Sequence, residues 1–532
     1  MRHLFASVAL AALFCGATPV ATLAETPDDQ LIVATVMSNI LTLDPAAITG
    51  RETVQVLNNI YDTLVVLSPD GRDLHPRLAE SWEISPDRMK ITFRLRPDAV
   101  FASGNPVTAQ DVVFSLKRLL TLNLAQSSFL KSRGYTAEAA DRLFVARDDQ
   151  TFVLNLPEPD DPRLILMVLA QNGPGSILDS KTVLENEQGG DLGAKWLTLN
   201  SAGSGPFTLT RWASNEYIIL SRNDDYWGEV PAMKRVLMRH LPESQSQRLM
   251  LEQGDIDVGY SLLAPDLKAL ESNDRIKIES TPGAGFYYLA VSMKDPRFAD
   301  RKVREALRLL IDYDGLDKAV MPFYGKLHQR PITTGALGQL PDPGYKLDVE
   351  KAKALLAEAG YPDGFKTTLR VPSEEPFLKA GTAIQNTLAQ AGIQAELITG
   401  SGDQIYGAMR DRNFELLVGR GGGGQQPHPD SNLRALAFNP DNSDEAKLTN
   451  YQGWRTSFFD EKLNGLIEDA LLERDLETQK KKYEDIQAYM DQTVMSILPF
   501  SETVDTAAFQ ADVHGLTVNP WLTRFEVVTK ER

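Results

Sequence analysis

The chain of 532 residues carries 72 acidic against 55 basic side chains, a formal net charge of −17 and an apolar share of 42%. An acidic chain without a basic block makes a poor partner for nucleic acid or for anionic membrane surfaces. Its composition, near the globular average, excludes long disorder, and its length exceeds what one core organises, so two or three domains are expected.

The first 24 residues have the form of a secretory signal peptide. A basic start, Met1-Arg2-His3, leads into an apolar core over 4–14 and then small residues ending at Ala24, where cleavage is expected. That core falls short of the roughly 20 residues that span a bilayer. The single cysteine, Cys15, lies inside this leader, and the bulky Leu13 and Phe14 before it disfavour a lipidated end. The exported chain then has no disulfide and depends on core burial. Loss of Arg2 with the leader takes its charge to −18. A periplasmic location follows as the expectation.

A strand pattern over 31–36 leads through Thr42-Leu43-Asp44-Pro45 to a loop at Ile48-Thr49-Gly50-Arg51. Val54, Leu57, Ile60, Tyr61 and Leu64 then repeat at helical spacing. The strand over 90–96 alternates Ile91, Phe93 and Leu95 with polar residues, so it buries one face. Thr108 and Asp111 suit the start of a helix whose apolar face holds Val112, Val113, Leu116, Leu119 and Leu120. Residues 201–227 read as a hairpin turning at Ala213-Ser214-Asn215, followed by a helix over 245–254 closed by glycine and a strand over 256–260. Helices are predicted over 303–312, 349–359, 380–391 and 403–411, and strands over 368–371, 395–398 and 414–418. That alternation implies a parallel sheet with helical crossovers. A helical region over 459–490 and a strand over 497–506 complete the chain.

After the last strand of this alternation comes Gly419-Arg420-Gly421-Gly422-Gly423-Gly424-Gln425-Gln426-Pro427-His428-Pro429. Loops leaving the carboxyl ends of such strands are where open α/β sheets hold ligands. Gly419, Gly421 and Gly424 match G-x-G-x-x-G, but a dinucleotide site needs its last glycine to open a helix. Two prolines favour extended backbone at the preceding residues, so no helix is expected there. The six histidines (3, 75, 240, 328, 428 and 514) never approach metal-ligand spacing. His428 reads as a polar surface residue, or else as a contact to a metal chelate. Gly203-Ser204-Gly205 is not a nucleophile elbow, and Asp160-Asp161 and Asp224-Asp225 read as surface or structural carboxylates. No catalytic constellation, resident metal or cofactor is expected. What remains is binding: bare glycine backbone can pair with an extended ligand as an added strand.

The stretch LAESWEISPDRMKITFRLRPDAVFASGNPVTAQDVVFSLKR (78–118) closely resembles the signature region of the family 5 extracellular solute-binding proteins. Further matches follow in family order: NIYDTLV (59–65), GSGPFTLTRW (203–212), DDYWG (224–228), VREALRLLID (303–312) and AKALLAEAGYPDGF (352–365). The resemblance spans nearly the whole exported chain. It implies an α/β, periplasmic-binding-protein-like fold, two lobes joined by a hinge with an additional domain. Domain I would comprise 25–51, 198–280 and 500–532, domain II 52–197, and domain III 281–499, with hinge crossings near Thr281 and Pro499. It also implies a monomeric, non-enzymatic receptor that serves an ABC importer and docks on membrane permease subunits.

In the peptide-binding branch of that family, ligand backbone pairs with one loop from each lobe. Their matches here are Thr49-Gly50-Arg51 and Gly421-Gly422-Gly423. The aspartate that holds the ligand's α-amino group in that branch is replaced by Gln425, which makes no charge-assisted contact with an ammonium group. Arg51 and Arg420 suit ligand carboxylates or phosphates from opposite lobes, and Tyr287 either stacks on ligand or packs. The cargo implied is a peptide or peptide-like solute. The alternatives are a metal chelate, an opine or an oligosaccharide, and beyond those a secreted hydrolase.

Overall fold

Strand Gln30–Thr35 buries Leu31, Val33 and Ala34 and sits at the centre of a sheet. It pairs in parallel with Arg235–His240 on one side and with Val258–Gly259 on the other. In the computed structural model, which describes residues 26–69, 71–423, 428–519 and 521–531, eleven strands of the described residues join this one mixed sheet. The signal peptide with its cleavage point, and Gln425, fall outside the described residues.

One end of the sheet is the predicted parallel unit. Lys366–Pro372 lies between Gln394–Gly400 and Leu416–Gly421, parallel to both, with helices Phe377–Gln390 and Gly402–Arg410 as crossovers. The other end is antiparallel and carries the predicted hairpin, Phe207–Ala213 with Tyr217–Arg222, whose turn places Asn215 at φ 56°. Between the two ends run Ile276–Val291 and Ile497–Gln510, antiparallel to each other along most of their length. Sequence patterning anticipates the second of these but not the 16-residue first one. Pro282, Gly283 and Gly285 obscured it, being poor strand residues. The register between the two strands shifts across Pro282 to Phe286, and there the Gly285 N–H donates to Thr503 Oγ1 at 3.2 Å. This bulge sits midway along the one ribbon that joins the two ends.

Buried side chains fall into separate clusters. One draws almost entirely on 64–177, a second on 31–61, 178–260 and 507–528, and two more cover opposite faces of the sheet formed within 286–500. Helix Arg51–Ile60 packs in the second cluster, as do Leu178, Val183 and Leu197, so the chain segment 52–197 is shared between two cores.

The blocks that carry the family resemblance converge on one carboxylate. Asp62, fully buried, accepts from Arg77 Nε at 2.6 Å, Ser204 Oγ at 3.1 Å and Trp227 Nε1 at 3.1 Å. Arg77 in turn makes a paired contact with Glu526, at 2.9 and 2.6 Å. Gly203 and Gly205 press on the carboxyl end of helix Arg51–Ile60, where a Cβ on Gly205 would lie 2.6 Å from the Ile60 carbonyl carbon. Arg118, the last residue of the signature, forms a buried bidentate pair with Asp44 at 2.8 and 2.6 Å and donates from Nε to Leu192 O. Buried charges persist only when paired and hydrogen-bonded in this way.

Two local expectations are corrected. The helical region over 459–490 is two helices, Glu461–Leu472 and Leu476–Thr493, because Asp475 caps the second through the Thr478 N–H. A helix, Pro429–Leu436, does open after the glycine run, with Pro429 in its first turn, where a missing N–H costs nothing and the fixed φ is already helical. The helix start expected at Thr108 is observed, and Asp111 completes it: its carboxylate accepts from the Thr108 N–H at 2.9 Å and from its hydroxyl at 2.7 Å.

Candidate ligand-binding site

The crossing ribbon floors a cleft between the two ends of the sheet. Its central chamber, about 70 Å³ in volume, is lined from one side by Gly283, Ala284, Thr334 and Asn432, and from the other by Val54, Gln171 and Trp521. The widest part, about 940 Å³, lies between Phe129, Arg133 and Asp160 on one wall and Gly422, Gly423 and Arg434 on the other. A third chamber reaches beneath Thr49 and Gly50.

The two predicted loops therefore border neighbouring chambers. Thr49 is exposed, and among the described residues its backbone N–H and C=O have no hydrogen-bond partner. Gly421 still pairs with Phe286 at the end of its strand. Gly422 and Gly423 are glycine for a packing reason. A Cβ on Gly422 would stand 2.6 Å from Asn432 Oδ1 and 2.7 Å from Ala284 O, and one on Gly423 would collide with the backbone of Ser431. The Gly423 N–H donates to Asn432 Oδ1 at 2.7 Å. The bare loop is thus pressed against the start of helix Pro429–Leu436 while its other side lines the cleft.

Arg51 and Arg420 meet at a carboxylate absent from the sequence reading. Arg51 Nη1 lies 2.9 Å from Asp505 Oδ1, and Arg420 is the second cation acting on Asp505. Burial raises the Asp505 pKa, with the two guanidinium groups opposing. The Arg420 N–H donates to Tyr406 Oη at 2.8 Å. Tyr287 is only 3% exposed. It sits against Phe377 and Phe500, so it packs in the crossing strand rather than offering a ring face to the cleft.

His428 is not a surface residue: it is 2% exposed and caps helix Pro429–Leu436. Its Nδ1 accepts the Asp430 N–H at 3.2 Å, and its Nε2 lies 3.3 Å from Asp161 Oδ2. Asp161, read from sequence as part of a solvated turn, is itself buried and caps helix Pro162–Leu169. Burial opposes its ionisation, but hydrogen bonds and charge from His428 and Arg163 outweigh this and hold it below the usual carboxylate range. Both ring nitrogens of His428 are thus engaged within the protein. Among the described residues no cluster of three or more His, Cys, Asp or Glu side chains is placed to hold a metal ion. Nor is any helix of those residues long and apolar enough to cross a membrane.

Comparison with known proteins decides what this cleft belongs to. Residues 73–444 match the family model described as bacterial extracellular solute-binding proteins, family 5 middle. The chain belongs to the family 5 solute-binding proteins. Among curated members of the family, the probable D,D-dipeptide-binding periplasmic protein DdpA of Escherichia coli is 28% identical over 94% of this chain and 93% of its own. The periplasmic oligopeptide-binding protein OppA of the same organism is 31% identical over 68% of this chain and 69% of its own. Among solved family 5 structures, the periplasmic binding protein DppA of Helicobacter pylori in complex with the peptide STSA is 26% identical. It aligns with a TM-score of 0.71 over 94% of this chain and 98% of its own. The fold class expected from the resemblance is the one observed.

What sequence reasoning missed is the contribution of 52–197 to the cleft. Phe129, Arg133, Asp160 and Gln171 line it, yet none stands out by spacing or residue type. The one available signal was the acidic, proline-rich run Pro157-Glu158-Pro159-Asp160-Asp161-Pro162.

Proposed function

We propose that this protein is the periplasmic substrate-binding component of an ABC importer. It captures a peptide or peptide-like solute between two lobes and delivers it to membrane permease subunits. The observation that carries this reading is the cleft itself, floored by the crossing pair Ile276–Val291 and Ile497–Gln510 and walled from both sides. Peptide-binding names among the relatives, and a peptide-bound structure among the fold neighbours, support the cargo class.

In this reading domain I comprises 25–51, 198–280 and 500–532, domain II 52–197 and domain III 281–499, and the crossing pair is the hinge. Ligand backbone pairs with Thr49-Gly50-Arg51 and with Gly421-Gly422-Gly423. Contacts to both lobes then shift the population from open to closed. No covalent chemistry is involved, and export through the signal peptide places the receptor outside the cytoplasmic membrane.

Native mass spectrometry of protein isolated from its own periplasm tests the proposal. A bound peptide or peptide mixture is the expected result. A chain that is always empty, with no thermal shift across peptide libraries, would count against it. Gln425 favours a second reading, in which the cargo lacks a free α-amino group, as an opine or an oligosaccharide does. Recovery of such a solute would establish it. The metal-chelate version has less support, since His428 faces Asp161 rather than open space.

A further inference from the structure

The chamber beneath Thr49 and Gly50 differs in chemistry from the rest of the cleft. It has a volume of about 330 Å³, at the lower end of the size range of small-molecule sites. Its walls are Ile48, Val54, Ala125, Phe129 and Trp521, and no charged side chain lines it. The widest part of the cleft, by contrast, is lined by Arg133, Glu158, Asp160, Asp430, Arg434 and Glu468.

Four polar side chains touch the chamber, those of Thr49, Gln126, Gln171 and Asn172, and each of the three amides makes a hydrogen bond within the protein. Gln126 Nε2 donates to Ile48 O at 2.7 Å, Gln171 Nε2 to Met167 O at 3.1 Å, and Asn172 Nδ2 to Asn58 Oδ1 at 3.0 Å. A charged group placed here would lose water and meet no counter-ion among the lining side chains. An apolar group would gain about 25 cal/mol for each Å² it buries.

Two further features say what enters. The unpaired backbone of Thr49 forms the rim, so a chain paired to that edge directs alternate side chains toward the chamber. Phe129 also lines the widest part of the cleft, and Trp521 the central chamber, so the chamber opens into the space between the lobes rather than to the outside alone.

We propose that this chamber is a specificity subsite that takes one uncharged, apolar or aromatic side chain of the cargo. Phe129 and Trp521 supply its ring walls and Thr49 the adjoining backbone edge. The inference rests on the receptor reading above but names a property that reading leaves open.

Calorimetric titration with three tripeptide series, X-Ala-Ala, Ala-X-Ala and Ala-Ala-X, provides the test, with X as Phe, Leu, Ala, Lys or Glu. A second arm titrates N-acetylphenylalanine amide, followed by saturation-transfer NMR. Both arms use wild type, Phe129→Glu and Ala125→Lys. Ala125 is exposed at the rim, so its variant adds charge without disturbing packing. The expected result is one series in which Phe and Leu bind at least tenfold tighter than Lys and Glu. That preference should collapse in both variants while their melting temperatures stay near wild type.

Tripeptides that bind with no such preference in any series would overturn the subsite and leave the peptide receptor standing. If no tripeptide binds but the capped phenylalanine does, and both variants abolish that signal, the subsite stands and the peptide reading falls. Absence of binding in both arms would overturn both.

Discussion

Asp161 Oδ2 and His428 Nε2 lie 3.3 Å apart across 267 positions of sequence, each side chain buried and each capping the helix that follows it. Gln479 Nε2 reaches the same carboxylate oxygen at 3.1 Å. The contact joins the 64–177 core to the segment that ends the glycine loop, so it helps set the separation of the cleft walls. Asp161→Ala is expected to cost about 1–3 kcal/mol by leaving buried donors without an acceptor. It should also raise the radius of gyration as the walls part. Urea unfolding and small-angle scattering check both, and an unchanged radius with full ligand affinity would reject a bridging role.

Removing the Asp62 carboxylate should be more damaging. Asp62→Ala leaves Trp227 Nε1 and Ser204 Oγ without an acceptor and takes one counter-charge from Arg77. Breaking a buried pair of this kind costs about 3–5 kcal/mol. A thermal melt should show the loss, and a drop of under about 1 kcal/mol would mean that Glu526 alone satisfies Arg77.

Two glycine substitutions should have opposite signs. Gly423→Ala drives a methyl group into the Ser431 backbone, so the loop must lift from helix Pro429–Leu436. Overpacking of this sort costs about 1–3 kcal/mol, and ligand affinity should fall with it. Gly465 lies within helix Glu461–Leu472 with nothing near its would-be Cβ, so Gly465→Ala should stabilise by up to about 1 kcal/mol. Paired denaturant curves compare them directly.

His328 provides a pH-dependent term. It is buried, with Nδ1 3.1 Å from Asp342 Oδ1 and Nε2 2.8 Å from Ile332 O. Burial acts to lower its pKa, but the hydrogen bond and charge of Asp342, aided by Glu502 and the Ile332 carbonyl, raise it overall. Burial likewise favours protonated Asp342, and His328 more than offsets this, so that carboxyl is lowered. A raised histidine contributes stability that is fully present below about pH 6.5, its unfolded value, and is lost as pH rises through the folded pKa. A lowered aspartate contributes above about pH 3.9 and loses its share as pH falls through its own folded pKa. The stability gap between wild type and His328→Gln should therefore be widest from about pH 4 to 6.5 and narrow above it. A gap that is flat with pH would show that His328 acts through packing on Phe286 alone.

Much of the fold was legible because local signals agreed with the tertiary outcome. Alternation in 90–96 became strand Lys90–Leu95, and the strand–helix alternation after 366 became a parallel sheet. The site was legible in part. Thr49, Gly50 and the glycine run were singled out and do border the cleft. His428 and Asp161 were read as solvated because proline-rich, acidic segments usually are. Their burial depends on each other, and a partner 267 positions away leaves no local mark. Arg51 and Arg420 were named together as cations of opposite lobes, while Asp505, which both of them influence, sits in a strand and looks like any exposed carboxylate.

Residue types in short windows were enough for the family and the glycine-rich wall, through ordered blocks and missing side chains. Only the tertiary structure decided why those blocks recur together, because Asp62 gathers three of them through hydrogen bonds that span 142 and 165 positions. It also decided which glycines are needed for packing, and that Phe129 and Trp521 stand on one chamber. Burial and pairing are properties of the closed fold: a carboxylate or a ring acquires its role from what the far chain places against it, and periodicity carries no record of that neighbour.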